Sequence, residues 1–230
     1  MTAVEVLGVT ALGAVVGVDL VTVPQAMTAR PLVAAFLGGW LVGSPFYGLL
    51  IGAILELLAL ETLPIGAARY PDWGPPAAAA GALVAPGPDP TLPVSPWPWL
   101  LCLVLVAAMV AWIGGWAMHA ARLLSGAAVR RRSAQLESGD PKALVWLQAW
   151  GFVRDVVRAA ALTLLALLPG GWVAGAVARQ WRAPSHVAES VVLAVTVGVA
   201  AASAWRLYGR GTTSRWLLAG VGAGLAGMLL

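Results

Sequence analysis

The chain has 230 residues, of which 60% are hydrophobic and 10% charged, with a formal net charge of +4 and a mean hydropathy of +0.85. Soluble domains carry roughly 25% charged residues, so this composition excludes an ordinary water-facing globule. The basic residues fall in short loops between apolar runs, which argues against nucleic acid as a partner. The single cysteine, Cys102, lies in an apolar run and excludes a disulfide framework, and no metal or other cofactor is expected.

The predicted elements begin with a helix from about Ala3 to Val23, stopped near Pro24. Glu5 stands where a basic region would open a secretory signal, so this helix is expected to stay in the membrane. A polar connector with Gln25, Thr28 and Arg30 leads to a second helix starting at Pro31, because proline suits a first helical position. Ser44 and Pro45 mark a break after Gly43, and a third helix is predicted from Phe46 to Thr62, ahead of an interruption at Pro64 and Gly66. Such interruptions at membrane depth are tolerated where the freed backbone faces protein or a water-filled cavity.

From Ala68 to Pro98 prolines recur, leaving room only for a short helix over Ala77 to Ala85. Trp97 and Trp99 then favour the headgroup boundary at the start of a spanning helix, and the division falls here, into residues 1–96 and 97–230. Leu100 to Ala121, Ala159 to Ala178 and Val191 to Trp205 each approach the roughly 20 apolar residues of a crossing. Arg130 to Lys142 is expected to form a polar loop, cytoplasmic by its three consecutive arginines, within a cytoplasmic region near 126–149. Trp216 to Leu230 is short for a full crossing. The fold class is therefore an all-α membrane protein, a polytopic helical bundle with broken or re-entrant helices in its N-terminal half.

Glu56 is the most informative residue. Gly48, Gly52 and Glu56 are four apart, so on a helix the glycines admit another backbone along the face from which the carboxylate projects. A carboxylate near bilayer depth costs a few kcal/mol or more, which makes it a functional-site hypothesis, the alternative being a structural Glu bonded to a neighbouring helix. Asp19, Gln25 and Arg30 form a second polar set beside Pro24. Acceptors, an amide and a fixed cation together suit a ligand rich in hydroxyl groups, whereas a plain Asp19 and Arg30 ion pair or snorkelling is the alternative. Gly171 to Gly175 and Gly220 to Gly224 have the spacing of close helix packing.

These motifs follow one another in an order that resembles the IIC subunit of the mannose, fructose and sorbose family of phosphoenolpyruvate-dependent sugar phosphotransferase systems. Asp19 precedes Gln25 by six residues, Arg30 to Ala34 reads RPLVA, Gly48 to Leu60 fits GxxxGAxLELxxL, and Pro64 to Asp72 fits PIGAAxxPD. The loop Ser133 to Lys142 and the stretch Trp146 to Arg158 are similar to the family's cytoplasmic loop and the helix after it.

The resemblance implies an elevator-type sugar transporter subunit in the bacterial cytoplasmic membrane, assembled with a IID membrane subunit into an oligomer in the lipid bilayer and served by soluble IIA and IIB units. It makes Asp19, Gln25 and Glu56 the sugar-binding residues, with Arg30, Pro64, Gly66 and Ala67 shaping the site. The phosphoryl group would travel on the soluble units, so no phosphorylated or catalytic residue is expected in this chain, and His119 and His186 lie in no phosphotransfer motif. Ser44 stands where the family usually has Asp, and Glu61 where it usually has Gly. These departures keep two other readings open: a non-transporting scaffold or regulatory membrane subunit, and a proton-coupled transporter without phosphorylation.

Overall fold

The computed structural model describes residues 1–19, 26–60, 69–84, 96–209, 214–216 and 218–220. No strand occurs among them, in agreement with the expected all-α class. The first helix, α1 (Ala3–Asp19), opens with a capping box: the Thr2 hydroxyl accepts from the Glu5 N–H at 3.2 Å and the Glu5 carboxylate from the Thr2 N–H at 2.7 Å. Helix α2 (Pro31–Leu41) starts on its proline and ends at Gly43, whose φ of +76° lets Gly43 and Ser44 donate back to the carbonyls of Trp40 and Gly39. That turn is the break expected after Gly43. Pro45 then begins α3 (Pro45–Ala59).

A stretch without regular secondary structure, 69–73, lies along the face of the next long helix, α5 (Pro96–Arg131). The Asp72 N–H donates to the Ala111 carbonyl at 2.9 Å, and Gly114 and Gly115 leave the space that Asp72 and Tyr70 fill. Arg69 stacks over Trp116 at 4.1 Å, and Arg122 donates to the Tyr70 hydroxyl at 3.0 Å. Before α5 comes α4 (Gly74–Val84), the short helix foreseen near Ala77 but begun three residues earlier, with Pro75 and Pro76 in its first turn.

Helix α4 is the centre of the molecule. Nearly every residue in it is buried, and α1, α2, α3, α5 and α7 all pack on it. Alanine and glycine make this possible by keeping the helix thin. A Cβ at Gly81 would collide with the Ala35 carbonyl of α2, and one at Gly38 with the Ala78 carbonyl of α4. A second close seam joins α1 to α7 (Pro141–Leu165), where Gly13 and Gly17 face Thr163 and Ala159.

The segment 130–142 differs from the expected polar loop. Helix α5 runs on to Arg131, a short α6 (Ser133–Glu137) follows, and α7 begins at Pro141. Local chemistry explains the sharp reversal: Gly139 takes a φ of +76°, and the Asp140 carboxylate caps α7 by accepting from the Lys142 N–H at 2.9 Å. Hydropathy alone marks this stretch as polar, and polarity does not distinguish a capped helical hairpin from a loop.

After α7 the chain makes one π-helical turn, Ala166–Gly170, around Pro169, and continues as α8 (Gly171–Arg179). Proline lacks the N–H and clashes with the preceding turn, and the widened turn absorbs it. Helix α9 (Ser185–Tyr208) is largely exposed. Among the described residues three helical stretches are long and apolar enough to cross a membrane, Trp97–Arg131, Pro141–Arg179 and Ser185–Tyr208. Their apolar exposed faces suit lipid or partner helices as surroundings, so the chain is a multi-pass membrane protein.

Candidate functional site

Asp19 is the last described residue of α1 and only 2% exposed. A buried carboxylate needs donors of its own. It finds them in the turn that follows the 20–25 segment: Oδ1 accepts from the Ala26 N–H at 2.7 Å and Oδ2 from the Ala29 N–H at 3.2 Å. Within that turn Met27 adopts a φ of +63°, a left-handed conformation that side-chain-bearing residues rarely take. The Arg30 N–H closes the turn on the Met27 carbonyl at 3.1 Å.

Arg30 is the residue before α2, and its own side chain does not cap that helix. Glu56 does so from α3. Its Oε2 accepts from the Leu32 N–H at 3.2 Å, one of the donors a helix leaves unmatched in its first turn, and its Oε1 takes Arg30 Nε at 2.6 Å together with Arg30 Nη2. A carboxylate at the positive end of α2 is also favoured by the dipole. The glycine stripe expected from the sequence is what brings α2 this close. A Cβ on Gly48 would lie 2.5 Å from the Ala35 carbonyl oxygen and one on Gly52 3.0 Å from that of Leu32.

The two carboxylates therefore act on one connector. Asp19 holds residues 26–29 and Glu56 holds residues 30–32, so both predicted acidic residues and Arg30 converge on the segment 26–32. Gln25, Pro64, Gly66, Ala67 and Glu61 lie outside the described residues. The Arg30 and Glu56 side chains keep 39% and 20% exposure, so this pair is open to its surroundings. An open pair among apolar helices can exchange one of its own hydrogen bonds for one to a hydroxyl-bearing ligand, because both groups remain charged and polarised.

A second ion pair was not foreseen in the sequence. Arg158 of α7 bonds Asp72, which closes the 69–73 stretch, and the two side chains are 7% and 0% exposed. The signal available was a charged RDVVR run at 154–158 inside an otherwise apolar helix, which only a tertiary contact could pair with Asp72. His119 is half-buried in α5 and His186 sits exposed in the first turn of α9.

Two cavities lie elsewhere. One of about 380 Å³ is formed by residues 176–183 near the end of α8. The other, about 540 Å³, runs between the ends of α5 and α7 beside Arg131 and Arg132. There Trp146 and Trp150 stack with ring centroids 6.1 Å apart, and Arg132 lies 3.9 Å above Trp146. Neither cavity is lined by Asp19, Arg30 or Glu56.

The family model described as the PTS system sorbose-specific IIC component matches residues 3–187. A PTS system sorbose-specific EIIC component from Lacticaseibacillus casei is 47% identical over 45 residues, a match that covers 20% of this chain and 16% of that protein. Among solved structures, one described as a membrane protein aligns over 100% of this chain and 94% of its own, at a TM-score of 0.70 and 20% identity. The cryo-electron-microscopy structure of the mannose transporter ManYZ with microcin E492 aligns over 97% of this chain and 87% of its own, at a TM-score of 0.61 and 21% identity. At these identities the two structures speak for a shared membrane fold.

Proposed function

This chain belongs to the family of sorbose-specific IIC components of sugar phosphotransferase systems, and from that premise we propose that it is a sugar-translocating membrane subunit whose substrate is held at Glu56 and Arg30, on a connector that Asp19 keeps in place. Gln25 and the Pro64, Gly66 and Ala67 break complete the site. The observation that carries the assignment is the contrast between two ion pairs. Arg158 and Asp72 are sealed by the protein, whereas Arg30 and Glu56 are open, so only the latter can meet a ligand without unfolding the bundle.

The chemistry follows from the donor and acceptor set. The Glu56 carboxylate accepts from vicinal hydroxyls of a hexose-like sugar, Arg30 donates to its oxygens, and Asp19 holds the connector that carries Arg30 in register. This chain supplies binding and orientation. A IIB unit would transfer the phosphoryl group at the face where the α5 and α7 ends meet, taken as cytoplasmic from Arg130, Arg131 and Arg132. A IID subunit would cover part of the exposed apolar surface in the bacterial inner membrane.

The test is sugar phosphorylation by membrane vesicles that contain the chain with its IID partner, supplied with the soluble units and phosphoenolpyruvate. Glu56→Gln removes charge-assisted bonds of about 1.5–3 kcal/mol, so the KM for sugar is expected to rise about ten- to hundredfold. An unaltered KM and rate at equal protein abundance sinks the site assignment. Because Asp19 and Glu56 already bind the connector, a scaffold role is the second reading. Sugar uptake that survives deletion of this chain would favour it.

A further inference from the structure

We propose that Arg158 is a positioning residue for the sugar site, acting on Asp19 through the end of α1 without touching substrate; this rests on the functional reading above. The Arg158 guanidinium makes two bonds to two separate parts of the chain. One nitrogen pairs with the buried Asp72 carboxylate, and Nη2 donates to the Gly17 carbonyl at 3.3 Å. Gly17 stands two residues before Asp19 on α1, so this bond fixes the part of the helix that delivers the Asp19 carboxylate. Asp72 in turn anchors the stretch 69–73, which follows residues 61–68 in the chain, through its own N–H on Ala111.

One side chain on α7 thus ties the helix that delivers Asp19 to the far end of the segment that contains Pro64, Gly66 and Ala67. The surroundings make the tie rigid. A Cβ on Gly17 would strike Ala159 and one on Gly13 would strike Thr163, so α1 and α7 touch along the turns that follow Arg158 and cannot slide without losing that fit. The charge is balanced locally: Asp155 lies 4.0 Å from Arg158 Nε and 3.7 Å from Arg154, giving two arginines and two aspartates with Asp72. The set is neutral, with Arg158 and Asp72 buried and Arg154 and Asp155 half-buried, which separates it from the open Arg30 and Glu56 pair. Its consequence is geometric, since the guanidinium fork can reach two acceptors at once and a lysine ammonium cannot span them with the same planar geometry.

The experiment compares Arg158→Lys, the neutral pair Asp72→Asn with Arg158→Gln, and Glu56→Gln in the same vesicle phosphorylation assay, with protein abundance measured in each. Arg158→Lys is expected to raise the KM for sugar about tenfold while the rate at saturation stays within about twofold, because α1 is loosened and the phosphoryl step is untouched. The neutral double variant removes both buried charges together, a change that buried pairs often tolerate, and keeps the raised KM because the bridge to Gly17 is gone. An unaltered KM in a variant that accumulates normally overturns the proposal, as does a fall in abundance or rate with the KM unaltered in both. If Arg158→Lys does not accumulate, the double variant decides alone by the same criterion. Should Glu56→Gln raise the KM while both Arg158 variants leave it unaltered, the positioning role fails and the sugar site stands. If Glu56→Gln also has no effect, the site reading itself has failed and takes this inference with it.

Discussion

Replacing Gly81 by alanine adds one methyl group, and at an exposed helix position it would stabilise by about 0.5–1 kcal/mol, since glycine is the poorer helix former. In α4 the sign is expected to reverse. The new Cβ would collide with the Ala35 carbonyl oxygen and lie 2.7 Å from both the carbonyl carbon and the Cα of that residue. All three are backbone atoms, which cannot rotate aside as a flexible side chain would. Relief requires α2 and α4 to separate, and overpacking of this kind costs about 1–3 kcal/mol, so the loss outweighs the propensity gain by about 0.5–2 kcal/mol. Gly8 in α1 is the control, because no atom lies within 4 Å of a Cβ built there. Thermal unfolding of the detergent-solubilised protein, followed by gel filtration, should show a lowered midpoint for Gly81→Ala and an equal or raised one for Gly8→Ala. Equal midpoints for the two variants, or a higher one for Gly81→Ala, would refute the claim that backbone contact at α4 limits the core.

Asp140→Ala removes the side-chain cap of α7 and should cost about 1 kcal/mol of stability. It should expose the 138–142 turn to protease, readable as faster cleavage there, with sugar phosphorylation unchanged. Met27 adopts a left-handed φ of +63°, so Met27→Gly relieves a cost of about 1 kcal/mol or more and should leave the unfolding midpoint unchanged or slightly raised. Met27→Val should lower it, since a β-branched residue is least tolerant there, and an equal loss in both variants would show that the turn relaxes.

Much of the candidate site was legible before any coordinates. Four-residue spacing placed Gly48, Gly52 and Glu56 on one face, and the structure has α2 lying against the two glycines with its first turn capped by Glu56. The partner of Glu56 was not legible, because spacing along one helix says nothing about which donor stands opposite. Nor was the job of Asp19, whose two oxygens hold the backbone N–H groups of Ala26 and Ala29. The Asp72 and Arg158 pair joins residues 86 positions apart in the chain, a separation at which no local pattern operates.

By itself the sequence determined the solvent. A chain with 10% charged residues has no way to cover a water-facing surface, so membrane helices follow from composition, and proline and glycine fix most places where those helices stop. Only the tertiary structure decided which helix lies at the centre. Hydropathy does not single α4 out, because alanine and glycine bury little apolar area each, yet thinness is what lets five other helices approach it. The same distinction separates the two ion pairs. Both are an arginine and a carboxylate in an apolar chain, and nothing in residue type tells the sealed one from the open one, because exposure is a property of what the rest of the fold places around them.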